Sequence, residues 1–233
     1  MKKGKIFFLS SLCTSLWRWL QMVPPGRKNY SPFSFVLLPL RRIFASKYSR
    51  EMGKSIGVFC SAAERIDRCY FDEAAAVGRW MAASGVSLVY GGANMGLMEE
   101  VAKSVKEHGG HVVGVVPTKL YERGAVSPHI DDIIYCNNLS ERKDIMLEQS
   151  DLLLALPGGI GTLDEVFHVL GAATIGYHRK KVVLYNVGGF WNDCLNMLRE
   201  MEAKGFVRGR LEEHILVAST LAELEEILST VAR

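Results

Sequence analysis

The sequence predicts an α/β chain: a Rossmann-like, doubly wound parallel sheet in a single domain. Three observations carry that expectation. From residue 54 onward, short β-rich runs alternate with segments of helical period. The runs are apolar at consecutive positions, as in Leu152-Leu153-Leu154-Ala155-Leu156, which suits strands covered on both faces. Two of them end in glycine-rich turns that lead into helices, and the ligand edge of such a sheet lies at the carboxyl ends of its strands.

The elements follow in order. Residues 55–60 read as a strand. Residues 67–84 read as a helix, with Ala74, Val77, Trp80 and Met81 on one stripe. Residues 86–90 form a second strand, the turn Gly91 to Gly96 follows, and a helix over 97–108 stops at Gly109-Gly110. A third strand covers 111–116 and ends at Pro117. Residues 118–132 read as loop, 133–136 as a short strand, and 140–149 as a helix with Ser140 as its N-cap. The strand 151–156 precedes the second glycine turn. A helix over 162–177, a strand over 181–185, a helix over 190–204, a strand over 215–217 and a helix over 221–231 complete the pattern.

The first fifty residues differ in character. Residues 1–51 hold ten Lys and Arg and one acid, a local balance of +9 in a chain whose net charge is +3. The rest is acidic, so the pI of 8.6 is no argument for a nucleic-acid partner. The apolar run 6–12 after three lysines faintly resembles a signal peptide but is too short to span a bilayer, and four prolines follow it. We divide the chain into a basic leader over residues 1–52 and a single α/β domain over 53–233. The simplest expectation is that translation starts at Met52 and that the leader is disordered or never made. A membrane or export anchor and a structured extension are the alternatives. The five scattered cysteines show no metal spacing, which suits a reduced, cytoplasmic protein; Cys60 and Cys136 read as small buried hydrophobes.

The most informative segment is Leu156-Pro157-Gly158-Gly159-Ile160-Gly161-Thr162-Leu163-Asp164-Glu165. Glycines at a strand-to-helix turn let backbone N–H groups approach a phosphate, and the helix start adds unpaired donors and a positive dipole end. A carboxylate one turn later, Glu165, is unhelpful for phosphate binding alone and suggests chemistry beside the phosphate. Taken by itself, it also reads as a first-turn acid favoured by the dipole. The first turn, Tyr90-Gly91-Gly92-Ala93-Asn94-Met95-Gly96, is a weaker signal. Neither turn has the GxGxxG spacing or the P-loop lysine. The adjacent cations Arg142-Lys143, unfavourable at a helix start, lie within reach of the second turn, where Arg142 can fork onto a carboxylate or phosphate.

The motif Pro157 to Glu165 resembles the PGGxGTxxE signature of the LONELY GUY family, cytokinin riboside 5′-monophosphate phosphoribohydrolases whose bacterial relatives also act on AMP. Arg142-Lys143 stands where that family has its Arg-Lys pair. Tyr90-Gly91-Gly92 through Gly96-Leu97-Met98 is similar to its first glycine turn, and Val58-Phe59-Cys60-Ser61 to its opening strand. The similarity runs from residue 54 to about 190. It implies Arg142 and Glu165 as the catalytic pair, and Gly158, Gly159, Gly161 and Thr162 around the 5′-phosphate. Lys143, Asp164, Gly91, Gly92 and Gly96 complete the substrate-binding set. It also implies a homodimer with the site near the subunit interface. The family was once labelled lysine decarboxylase, but the sequence shows no pyridoxal-lysine context. Ala93 and Glu99 replace glycines common in the family, Ser61-Ala62-Ala63 replaces Gly-Ser-Ser, Val166-Phe167-His168-Val169 replaces Leu-Leu-Glu-Val, and a typical Trp and Gln are absent near 172–174. These departures bear on base specificity and leave the phosphate site and catalytic pair intact.

The expected reaction is hydrolysis of the N-glycosidic bond of a purine nucleoside 5′-monophosphate, AMP or its N6-modified form. It needs no metal or redox cofactor, no nucleic acid and no membrane. The alternatives are a non-catalytic protein that binds or senses a mononucleotide, and an oligomeric scaffold.

Overall fold

The computed structural model describes residues 54–232. The expectations for the basic leader lie outside the described residues. Seven parallel strands form one sheet: β1 (Ser55–Phe59), β2 (Ser87–Tyr90), β3 (Val112–Pro117), β4 (Asp132–Cys136), β5 (Leu152–Ala155), β6 (Val182–Tyr185) and β7 (Ile215–Ala218). Their order is β4-β3-β2-β1-β5-β6-β7. The chain therefore winds outward from β1 to one edge, returns to pair β5 with β1, and winds to the other edge. The expected doubly wound sheet is present, and its switch point lies between β1 and β5, with Val58 beside Leu154 in register.

The helices are α1 (Arg68–Ala83), α2 (Gly96–Glu107), α3 (Thr118–Glu122), α4 (Leu139–Gln149), α5 (Ile160–Thr174), α6 (Asn192–Ala203), α7 (Leu211–His214) and α8 (Leu221–Ala232). On one face of the sheet, Ile56, Val58, Leu88 and Tyr90 pack with Val77 and Met81 of α1, Val101 of α2 and Leu224 of α8. On the other face, Phe59, Val89 and Leu153 pack with Met146 of α4, Val166 and Val169 of α5, and Leu195 of α6. Burial on both faces explains why the strands read as continuous apolar runs. Ala74, Val77 and Met81 are buried as their stripe predicts, and so are Cys60 and Cys136. Among the described residues, no helix is long and apolar enough to cross a membrane.

Three expectations are corrected. Residues 118–122 form a short helix inside the predicted loop, and α7 has no counterpart in the sequence reading. Asn138, not Ser140, caps α4: its side chain accepts from Glu141 N at 2.9 Å, and Glu141 Oε2 accepts from Asn137 N at 2.7 Å. The Asn138 side chain thus satisfies a first-turn donor, and Glu141 reaches back to the chain just before the cap, close to a capping box. Finally, α5 begins at Ile160, not Thr162, and ends at Thr174. The last residues of the glycine turn are thus the first turn of the helix itself.

Candidate active site

Strand order sets the geometry of the site. The first glycine turn follows β2 and the second follows β5, with β1 between them. At about 4.8 Å per strand the two turns stand about 10 Å apart on the same edge of the sheet. Ser61, two residues past β1, joins them. Ser61 N donates to Pro157 O at 3.3 Å, and Ser61 O accepts from Leu97 N at 2.9 Å, at the start of α2. Gly96 completes this junction: its φ is +58°, and a Cβ there would sit 2.5 Å from the Ala62 carbonyl carbon.

At the second turn, Gly159 is the N-cap of α5 and makes no side-chain capping bond. The first N–H groups of the helix therefore have no side-chain acceptor supplied at the cap, unlike those of α1, where Asp67 accepts from Cys69 N. A Cβ at Gly159 or Gly161 would meet no atom within 4 Å, so both face open space. A Cβ at Gly158 would collide with Thr162 Oγ1; Thr162 is buried and packs the turn from inside. The result is an uncapped helix end with bare backbone around it, the form of an anion site.

The charged residues of α4 and α5 face each other. Arg142 Nη2 donates to Glu165 Oε1. Lys143 Nζ donates to both oxygens of Asp164, at 2.7 and 2.8 Å. The Arg-Lys pair that is unfavourable for its own helix is thus neutralised from the next one. The Arg142 guanidinium also lies against the first turn, since a Cβ at Gly91 would be 3.1 Å from its Cζ. Its Nε is buried and has no partner among the described residues. Arg142 therefore sits between the two glycine turns with donor capacity to spare.

Glu165 is buried, with 4% of its side chain exposed. Burial raises its carboxyl above the ordinary carboxylate range, and the Arg142 guanidinium pulls it back only in part. Desolvation is the larger of the two effects on this carboxyl. Cys60, next to this pair at the end of β1, is fully buried, and burial and the Glu165 charge push its thiol upward, away from reactivity.

The structure brings together Gly91, Arg142, Lys143, Asp164, Glu165 and the 158–162 turn. Gly92 and Gly96 shape the first turn behind them: Gly92 O accepts from Ser127 N at 3.0 Å. The sequence reading missed the polar pair beside this turn, His129 Nδ1 donating to Glu99 Oε1 at 2.8 Å. Thirty residues separate the two, and neither lies in a motif that announces the other. It named Ser61 but not its part as the junction, which backbone atoms play and no residue type reveals.

The sequence model of the family described as possible lysine decarboxylase matches residues 98–228. A probable cytokinin riboside 5′-monophosphate phosphoribohydrolase of Oryza sativa subsp. japonica is 36% identical over 175 residues, covering 75% of this chain and 72% of that protein. The chain belongs to the LONELY GUY family. A second rice protein of that description is 40% identical over 154 residues, covering 66% of this chain and 68% of the relative. A cytokinin riboside 5′-monophosphate phosphoribohydrolase of Arabidopsis thaliana is 35% identical over 170 residues, covering 73% and 74%. Among solved structures, the molybdenum cofactor carrier protein of Chlamydomonas reinhardtii is similar, with a TM-score of 0.60 and 26% identity, over 77% of this chain and 98% of that one. LONELY GUY membership agrees with the glycine turns and the Arg142–Glu165 pair described above.

Proposed function

We propose that this chain hydrolyses the N-glycosidic bond of a purine nucleoside 5′-monophosphate, releasing the free base and ribose 5-phosphate. The observation that carries the reading is the contact of Arg142 with buried Glu165, one helical turn beyond an uncapped, glycine-lined helix end. The relatives named as cytokinin riboside 5′-monophosphate phosphoribohydrolases support it.

In this mechanism the 5′-phosphate rests on the backbone N–H groups at the start of α5, with Gly158, Gly159, Gly161 and Thr162 forming the cradle. That remote grip positions the sugar over Glu165. As the bond from C1′ to the base nitrogen breaks, positive charge develops on the ribose, and the Glu165 carboxylate stabilises it. Glu165 also orients a water. The water oxygen bonds to C1′ and its proton goes to the departing base. Arg142 holds Glu165 in place and offers its remaining donors to the substrate. Gly91 keeps the space that the guanidinium occupies.

We also place the working form as a homodimer. The exposed face of α5 carries Ile160 and Phe167, and exposed Ile175 follows at its C-terminal end, a surface suited to a second copy. The described cysteines are all free, in keeping with the reducing cytoplasm. The test of the activity is a substrate panel. AMP and N6-isopentenyl-AMP should both yield free base and ribose 5-phosphate, while adenosine, which lacks the phosphate, should yield far less. Equal use of adenosine and AMP would remove the phosphate cradle from the account.

A further inference from the structure

We propose that His129, oriented by Glu99, is the general acid that gives a proton to the purine as it leaves. This rests on the phosphoribohydrolase reading and adds to it a catalytic residue on the side of the base.

Two charges develop when the bond between C1′ and N9 breaks. Glu165 meets the positive one on the ribose. The electron pair of the bond goes to the purine, which leaves far more readily when a ring nitrogen takes a proton. Arg142 has donors but no proton to give, since a guanidinium is not deprotonated in a protein. Lys143 is engaged by both oxygens of Asp164.

The position of the base follows from the order of the parts. Arg142 lies between the glycine turns: its Nη2 donates to Glu165 on α5, and its Cζ is 3.1 Å from the Cβ position of Gly91. A 5′-phosphate at the second turn puts the ribose over this pair, and the base then lies on the far side, at the first turn. His129 borders that turn. Its segment is stitched there by Asn94 N donating to Ala125 O at 3.1 Å and Ser127 N donating to Gly92 O at 3.0 Å. Ser127 Oγ in turn accepts from His129 N at 3.1 Å.

Glu99 stands in the first turn of α2, where the helix dipole favours its charge. Its Oε1 accepts from His129 Nδ1 at 2.8 Å, and among the described residues this histidine is its only ion-pair partner. The bond decides which ring nitrogen stays available. Nε2 has no partner among the described residues and is not buried, and 28% of the side chain is exposed. A carboxylate on one nitrogen fixes the ring and leaves the other to move a proton. In the step, the imidazolium Nε2–H gives its proton to N7 of the purine while the C1′–N9 electron pair moves to N9. The water that adds to C1′ gives up one proton, and one proton restores the imidazolium. The net transfer is still from water to base.

The experiment compares AMP with N7-methylated AMP on the full chain and reads released base. The methylated purine is already cationic and departs neutral, so it needs no acid. His129→Asn keeps an amide N–H for Glu99 and removes Nε2. It should lower kcat on AMP by about 10²-fold or more, with KM within a few-fold, and lower kcat on the methylated nucleotide far less. Glu99→Ala, a positioning change, should show the same split with a smaller loss. Equal losses on both nucleotides would make the pair a tie between loop and helix and overturn the proposal. Wild-type turnover of AMP by His129→Asn would overturn it too. If His129→Asn does not fold, His129→Gln carries the comparison. A wild type inactive on both nucleotides brings down the hydrolase reading and this proposal together, whereas an active wild type with no split in the variants brings down the proposal alone.

Discussion

Arg142 on α4 donates from Nη2 to Glu165 on α5, two residues 23 apart in sequence that meet at the carboxyl edge of the sheet. Glu165 is buried and Arg142 largely covered, so removing the arginine leaves a buried carboxylate without its charged partner. Arg142→Ala should lower kcat/KM for AMP by roughly 10²- to 10⁴-fold, the range for losing a positioned charge at a reaction centre. Steady-state release of adenine measures it. Turnover within a few-fold of wild type would separate Arg142 from the chemistry.

The raised Glu165 carboxyl has a consequence for stability. A group whose folded pKa lies above its unfolded value stabilises the fold below the unfolded pKa, and that contribution is lost as pH rises through the folded pKa. Glu165→Gln does not titrate. The melting temperature of wild type minus that of Glu165→Gln should therefore fall as pH rises from the ordinary carboxylate range, about 4.3, toward neutrality. Thermal unfolding of both proteins across that range checks the sign. A difference that grows with pH would mean that Arg142, not burial, dominates.

The same shift predicts the acid limb of the pH–rate profile. Glu165 acts ionised, so kcat/KM should begin to fall at a pH above the usual carboxylate value, and a conservative Arg142→Lys should move that limb less than Arg142→Ala. An acid limb at or below about pH 4 would contradict the buried carboxylate.

The cradle glycines separate function from stability. Gly161 lies in α5 with a negative φ and open space at its Cβ position. Gly161→Ala should keep or raise the melting temperature, by up to about 1 kcal/mol of stability, because alanine is the better helix former. It should nevertheless raise KM for AMP, since a methyl group then stands where the phosphate approaches. Gly158→Ala should do the reverse and destabilise first, because its Cβ would collide with Thr162. A Gly161→Ala enzyme with unchanged KM would show that the phosphate does not rest on this turn.

The α5 surface makes a prediction about assembly. Light scattering should give the mass of two chains for wild type, and of one chain for a variant carrying Ile160→Asp and Phe167→Asp. A single-chain mass for wild type would remove the dimer.

Much of this architecture was legible in the sequence because its strands are buried on both faces: β5, Leu152–Ala155, carries no polar residue to blur its apolar run. The second glycine turn was legible because backbone approach requires glycine, a residue type that can be seen. The Arg142–Glu165 contact itself was not. Spacing put Arg142 within reach of the second turn but left its acceptor open between a carboxylate and a phosphate, and the family resemblance paired it with Glu165. The cap of α4 was misplaced by two residues because Ser140 and Asn138 are both good caps, and the Glu141 contact back to Asn137 N decides between them. The Ser61 junction and the Glu99–His129 contact arise from tertiary contacts, one of them made by main-chain atoms, so local pattern could not reveal them.

The most direct test of the central claim measures AMP binding and AMP cleavage in Glu165→Gln. The account predicts that the variant binds AMP within a few-fold of wild type, because the cradle is untouched, and releases no measurable adenine. Adenine and ribose 5-phosphate produced by Glu165→Gln at the wild-type rate would contradict it.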